Sequence, residues 1–527
     1  MGIGKEKTYV GEWWIPGKAK RKVKGILRLA AEGGGSSRLE LIGLFEQADL
    51  ISFFDVSRNN PRVVFGEAGG RLFTLIQNHV SDKSIGLKVP HATLTPRLVL
   101  EGLHLKDLSK NLFTSMTVDY THLEEWCAEN VFYGDLVFDD EKPLRVNVTG
   151  IPFRSDPIAL PSLDTELVIA HRIEPKQKKY KSVELTDTVT MKFKPAAPKS
   201  FEWFEELIEK FQIMLALFTG QAVYAERLAL DGTAAVKKSK SKKGKSVSRK
   251  DEAKTICVRV YYDQMPPAAR PDEPEARPAI IPFARIKTDA AKILNHYLEK
   301  YADLKQVFQL LLGSVYEPDF LAQSRFLNLM QAVETFHRRA GASGAGVGGA
   351  ATAATAKEKG RYLSAALHDE LKRELKSEYE RIFKRFADEL RLPAGKSAYP
   401  EDSAESLAKL EKIFIKRLDL SNEASLRSRL ELIFKNLSKE EAKLVCDKPK
   451  SFIHHTTATR DYLTHYDESG KASALTGIEL FRATEGLRVL LLVLIMRELG
   501  IEEKARVEIV GQSERLNFRG YRAVEFD

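Results

Sequence analysis

Apolar and polar positions alternate with a short period over the first part of the chain and with a longer one over the last. Between Lys5 and about Lys194, short runs rich in Val, Ile, Leu, Thr and Phe are separated by turn residues, the pattern of β-strands. Such runs are Val23–Leu29, Leu39–Phe45, Val63–Phe65, Leu72–Ile76, Leu98–Leu100, Leu144–Val148, Leu167–Ala170 and Val189–Phe193. Gly33-Gly34-Gly35, Asn59-Asn60-Pro61 and Gly69-Gly70 punctuate them as turns. So many short strands predict a sandwich or barrel-like β domain, with Trp126 on a short helix between strands. Over Phe201–Phe218 the period becomes helical: Phe204, Leu207, Ile208, Phe211, Met214, Leu215 and Phe218 form one stripe, expected to pack on the β domain. Thr255–Tyr262 reads as a further strand.

A proline-rich stretch follows, with Pro266, Pro267, Pro271, Pro274, Pro278 and Pro282, which excludes regular structure and marks the expected boundary. Helical periodicity then governs Ala290–Phe308, Ser324–Arg339, Tyr362–Leu390, Ser403–Arg417 and Ser425–Asn436, and a long apolar helix is expected over Thr476–Leu499. Val507–Val510 near the end is strand-like. The predicted architecture is therefore α+β and multidomain: a β-rich N-terminal domain over 1–265, a linker over 266–285 and an all-α domain over 286–527. Two low-complexity segments interrupt it. Residues 234–254 contain the Lys-rich tract, an expected solvated loop, and 340–356 form an uncharged Gly/Ala/Ser/Thr run, an expected flexible insert.

Composition changes this picture in three places. The net charge of +9 suggests a nucleic-acid partner until it is located, because Lys237–Lys250 alone carries eight Lys or Arg and no acid. The rest of the chain is nearly neutral, so the high pI does not by itself mark a binding face. Within that tract Gly244-Lys245-Ser246 imitates the end of a phosphate-binding loop, but Ser239 stands where the first glycine is required. The 3 cysteines, Cys127, Cys257 and Cys446, lie far apart and read as buried thiols in a reducing cytoplasm. No apolar leader is seen, and the longest strongly apolar run, Val489–Met496, is too short to span a bilayer, so no membrane partner is expected.

Chemistry concentrates in Thr459-Arg460-Asp461-Tyr462-Leu463-Thr464-His465-Tyr466-Asp467. A histidine moves protons near neutral pH, and an arginine holds the charge that builds on a pentacoordinate phosphate, which suits phosphodiester cleavage without a metal. At about 100° per residue a helix sets Arg460 and His465 roughly 140° apart, so one copy makes a poor site. Two copies facing each other across a two-fold axis supply both groups to one cleft. The bland alternative is an Arg and a His on a solvated helix start. His454 and His455 point to different sides of a helix or strand and form no ligand pair with His465, so neither a metal nor another cofactor is expected.

Arg460-Asp461-x-x-x-His465 resembles the R-polar-x3-H signature of HEPN-domain ribonucleases. The opening Gly11-Glu12-Trp13-Trp14-Ile15-Pro16-Gly17 is similar to the first element of one branch, the ApeA-like anti-phage defence proteins, which carry a β-rich N-terminal domain before the HEPN domain. The resemblance implies a two-fold helical dimer with a composite cleft and an RNA substrate. His465 would be the general acid or base, Arg460 would bind and neutralise the phosphorane, and Asp461 would orient either of them. Products would be a 2′,3′-cyclic phosphate and a 5′-hydroxyl, with DNA spared for want of a 2′-OH. A phage-derived or cellular trigger sensed by the N-terminal domain is implied too.

HEPN domains often set an acidic residue of an early helix against the motif. Glu334 is the candidate, and an i, i+4 ion pair with Arg338 is the competing reading. Tyr466 is similar to the nucleotidylated tyrosine of HEPN antitoxins, which stands one residue later, where this chain has Asp467. Two rival functions remain open on sequence: a non-catalytic RNA- or protein-binding HEPN module, and a β-rich carbohydrate or peptide binder with a helical oligomerisation domain.

Overall fold

A computed structural model of the chain describes residues 7–30, 35–45, 61–85, 90–127, 132–139, 142–150, 155–178, 182–235, 253–263, 278–317, 321–340, 363, 365–391, 404–420, 423–466 and 468–516. The Lys237–Lys250 tract, most of the proline-rich stretch, the Gly/Ala insert after Ala340 and the motif's Asp467 lie outside them. The chain divides into Met1–Glu299 with Ser513–Arg515, and Lys300–Gln512 with Leu516–Asp527.

The first unit opens with β1 (Lys7–Trp14), β2 (Val23–Leu29), β3 (Arg38–Ile42), β4 (Val63–Ala68), β5 (Arg71–Ile85) and β6 (Pro90–Glu101). All pair antiparallel in the order β1-β2-β3-β6-β5-β4, and β4 returns to β1, so these six strands close a barrel with no free edge. Its interior is filled by alternate residues, among them Trp13, Leu27, Leu29, Leu39, Leu41, Val64, Phe73, Leu75 and Val99. The Gly-Glu-Trp-Trp string now has a physical reason. Trp13 is fully buried, and Gly66, its partner on β4, makes room for it, since a Cβ there would sit 2.1 Å from the indole. A Cβ on Gly11 would likewise stand 2.2 Å from the Glu67 carbonyl. Trp14 lies edge-on to His104 with ring centroids 5.2 Å apart, and Lys22, paired with Glu12 at 3.0 Å, stands over its ring.

β6 is shared between the barrel and a second set of strands. Its first half pairs with β3, and its last residues, Leu98–Glu101, pair with β14 (Ala253–Tyr262) while β5 stays on the other side. Residues 98–101 are consequently all buried, and Leu98-Val99-Leu100 reads as an unbroken apolar run. From β14 the sheet continues through β13 (Ala225–Ala235), β7 (Phe113–Tyr120), β12 (Ser182–Pro195), β11 (Thr165–Lys178) and β10 (Ile158–Leu160), while β8 (Phe132–Asp139) and β9 (Lys142–Gly150) form a separate hairpin. Strand β3 stops at Ile42 rather than Phe45 because Gly43 takes φ 119.

Trp126 lies on α1 (Leu123–Cys127) as expected, and the predicted stripe forms α2 (Phe201–Thr219). Ser200 accepts from Trp203 N at its start, and Gly220, at φ 73, closes its end. All seven stripe residues are buried, with Phe211 edge-on to Phe193 at 4.7 Å. The end of the proline-rich stretch is packed: Ile280 and Ile281 are buried, and α3 (Phe283–Ile286) sets Phe283 5.0 Å from Trp126. Cys257, expected buried, is exposed, because it alternates with the buried Val258 and Val260 along β14.

Helix α4 (Ala290–Tyr316) contains the division between the units. The second unit continues with α5 (Ala322–Ala340), α6 (Ala365–Leu390), α7 (Ala404–Leu420), α8 (Leu426–Lys435), α9 (Lys439–Val445), α10 (Pro449–His465), α11 (Gly477–Glu498) and α12 (Glu503–Gln512). Helix α11 is apolar almost all round and forms the centre, with Leu487, Leu490, Leu491, Val493 and Met496 fully buried and α5 packed against it. Val507–Val510 belongs to α12, not to a strand. Its buried residues Arg506, Ile509 and Val510 follow helical i, i+3, i+4 spacing, which a four-residue window cannot separate from alternation.

Candidate active site

Helix α10 carries the motif, and its sequence is an unusual helix former. Three threonines, Thr456, Thr457 and Thr459, lie in its middle and are buried, although β-branched hydroxyl residues are weak helix formers. Their hydroxyls donate to carbonyls one turn back, Thr456 to Phe452 at 2.6 Å, Thr457 to Ile453 at 2.7 Å and Thr459 to His455 at 2.7 Å. Tertiary packing supplies the rest. Phe452 rests against Gly486 of α11, where an added Cβ would lie 2.9 Å from the ring, and its ring lies tilted to that of Phe434 of α8 with centroids 5.8 Å apart. The chain returns past α10 in a 3-10 helix, Glu468–Ser473. There Leu475 N donates to Thr459 Oγ1 at 2.9 Å, and Gly470 lies against Tyr462.

The buried face of α10 thus fixes which side faces out. Arg460, Asp461 and His465 lie in its last six residues, a helix end rather than a helix start. Arg460 is one-third exposed and donates from Nη1 to Asp461 Oδ1 at 3.0 Å. His465 is exposed, and by i, i+4 spacing it shares a side of the helix with Asp461. Asp461 therefore stands between the two: bonded to the guanidinium and in line with the imidazole. Arg460 and His465 are five residues apart on one regular helix, about 7.5 Å along its axis and roughly 140° around it. Their geometry leaves each group presented to solvent on a different side of one helix.

Glu334, on α5, accepts from Arg338 Nη2 at 2.9 Å, and Arg338 also reaches Glu423 at 3.4 Å. The i, i+4 pair weighed from the sequence is thus formed. Beside it lies a cluster that spacing did not reveal. Arg429 is buried, donating from Nε to Ala424 O at 2.8 Å and pairing with Glu423 at 3.3 Å, with His337 Nδ1 3.5 Å from its Nη1. Burial, with that guanidinium beside it, pulls the His337 imidazole down to about 4. His454 and His455, expected to diverge, hold their rings edge-on 5.1 Å apart. Among the described residues no group of three or more His, Cys, Asp or Glu is placed to hold a metal ion, and no helix is long and apolar enough to cross a membrane.

Two family models match: ApeA N-terminal domain 1 over residues 8–297, and Apea-like HEPN over residues 327–505. The chain belongs to the ApeA-like HEPN proteins. The first match takes in the Gly11–Gly17 element, the barrel and the second sheet, and the second takes in Arg460, Asp461 and His465. No curated protein and no solved structure matches the chain. The ApeA-like HEPN region begins within α5 and ends within α12, so the motif helix lies inside it with its supports α8 and α11.

The motif helix ends on Tyr466. This residue follows His465 in the left-handed conformation, φ 51 and ψ 35, and its N–H donates to Tyr462 O at 2.6 Å. No glycine or asparagine signalled that turn, and the only sequence cue was the four-residue spacing of two tyrosines at the end of a helix.

Proposed function

We propose that this ApeA-like HEPN protein is a metal-independent endoribonuclease that acts in anti-phage defence. In this reading His465, as the neutral imidazole, takes the proton from a ribose 2′-OH. The O2′–P bond then forms as the P–O5′ bond breaks. The departing 5′-oxygen takes its proton from solvent water. Arg460 neutralises the charge gathered on the phosphorane oxygens, and Asp461 holds that guanidinium in place. The products are a 2′,3′-cyclic phosphate and a 5′-hydroxyl, and DNA is not a substrate.

The observation that carries the reading is the Arg460–Asp461 bond beside an exposed His465 at one helix end. Because Arg460 and His465 emerge on different sides of α10, the reading includes a homodimer whose two-fold axis passes by the motif, each cleft taking Arg460 from one copy and His465 from the other. The barrel-bearing N-terminal region is the sensor that holds the nuclease off in the cytoplasm until a trigger arrives. The domain organisation proposed is a β-rich regulatory region joined by the proline-rich stretch to the helical HEPN domain.

Mixing tests the composite cleft. Arg460→Ala and His465→Ala chains are each expected to be inactive and still dimeric by light scattering. Co-assembled, they are expected to regain part of the wild-type RNA cleavage, since one cleft of the heterodimer keeps both native residues. A mixture that stays dead, or a strictly monomeric wild type with full activity, contradicts the composite cleft. Growth arrest with RNA breakdown on overexpression of the intact chain separates a nuclease from a module that only binds RNA or protein.

A further inference from the structure

The residue that ends the motif helix is a large aromatic in a conformation that favours glycine. Among the described residues four non-glycine positions have positive φ, and Tyr466 is the one in the helical unit. A bulky side chain in the left-handed region is strained, and helices that end this way commonly place Gly or Asn there. Such residues persist where the surroundings or the function hold them. Part of the compensation is local. The Tyr466 N–H bonds Tyr462 O, and the two rings meet edge-on with centroids 5.8 Å apart, the apolar contact that accompanies this type of helix end. That contact uses little of the ring, because Tyr466 remains 65% exposed. The returning 3-10 helix passes beside the base of Tyr462, where a Cβ on Gly470 would stand 3.7 Å from the Tyr462 Cβ. The result is an outward aromatic, edge-on to a second aromatic, one residue from His465 and on the same helix end as Arg460.

From this placement we propose that Tyr466 is a stacking platform for an unpaired RNA base adjoining the scissile phosphate, with Tyr462 as its support. This rests on the nuclease reading given above. A single strand must be held with its backbone at Arg460 and His465, and neither side chain grips a base. An exposed π-face beside them takes any base and positions the phosphate without reading sequence, as aromatic platforms do in single-strand binding. Tyr466 is thus a positioning residue: it sets where the phosphate lies and takes no part in proton transfer.

The test uses the full-length chain and a 2′-O-methylated oligoribonucleotide, which cannot be cleaved by 2′-OH attack, carrying 2-aminopurine at successive positions. Wild type and Tyr466→Trp are expected to quench the fluorophore at one position. Tyr466→Leu keeps the backbone strain and an apolar contact with Tyr462 but has no π-face. It is expected to lose the quenching, bind the oligonucleotide about tenfold more weakly and melt with the wild type. On cleavable RNA its defect is expected in KM rather than kcat. A Leu variant that quenches and binds as wild type does overturns the platform and leaves the nuclease untouched. A wild type that cuts RNA without quenching at any position also overturns the platform alone. A wild type that neither binds nor cuts removes both.

Discussion

Trp13 and Gly66 show how little of a residue's role is visible before its neighbour is known. The Gly-Glu-Trp-Trp string stands out in the sequence, yet its meaning lies in register: pairing β1 with β4 lays Trp13 across Gly66. Gly66→Ala is therefore expected to destabilise the first unit by about 1–3 kcal/mol, since the added methyl must displace a fully buried indole or bend a strand. Thermal unfolding followed by tryptophan fluorescence checks this, and an unchanged midpoint would contradict the packing described. The motif residues are the opposite case. Arg460 and His465 are partly or fully exposed, and their alanine variants are expected to keep their stability within about 0.5 kcal/mol of wild type. Both stand out in the string itself, whereas the Arg460–Asp461 bond and the left-handed Tyr466 appear only in the folded chain.

At the scale of elements, the apolar stripe announced α2, whereas α9 was not anticipated although local signals mark its start. Ser200 and Gly220 bracket α2, and its apolar stripe is the buried face. Ser438-x-x-Glu441 is a capping box, and both of its bonds form at the start of α9. What it did not announce is that Glu441 also receives Arg506 of α12, at 2.7 Å and with both side chains buried. Glu441→Ala leaves that guanidinium buried without its carboxylate and is expected to cost about 3–5 kcal/mol. Glu441→Gln keeps an acceptor for the Ser438 N–H and should cost less; urea unfolding of both variants measures the difference. Strand ends were harder to read. Only Leu72–Ile76 of β5 looks like a strand, because His79, Ser81, Asp82 and Lys83 interrupt the apolar run, but pairing with β6 carries β5 on to Ile85. Helix α10 has so weak an apolar pattern that its motif, not its periodicity, located it.

The His337 cluster adds a pH dependence at the same scale. In the unfolded chain this imidazole titrates near about 6.5, whereas in the folded state it takes a proton only near pH 4. Between those values the unfolded chain holds the extra proton, so stability rises with pH and is lost as pH falls from about 6.5 towards 4. His337→Gln removes that contribution. Its urea midpoint relative to wild type is expected to improve on going from pH 7 to pH 4.5, and a pH-independent difference would contradict the burial of His337 beside Arg429.

For the whole molecule, the change from short-period to helical patterning gave the order of a β-rich region followed by a helical one, and both are present. Barrel closure was not legible, because it depends on β4 returning to β1 and on β6 serving two sheets. The division between Glu299 and Lys300 falls inside a continuous helix, where composition leaves no mark. A nuclease of the proposed kind must carry out one reaction without a metal. Purified full-length chain, incubated with single-stranded RNA in excess EDTA, is expected to yield fragments ending in 2′,3′-cyclic phosphate and 5′-hydroxyl. His465→Ala, folded to the wild-type melting point, is expected to yield none. Cleavage by the folded His465→Ala chain at the wild-type rate, or wild-type cleavage that vanishes with EDTA, would contradict it.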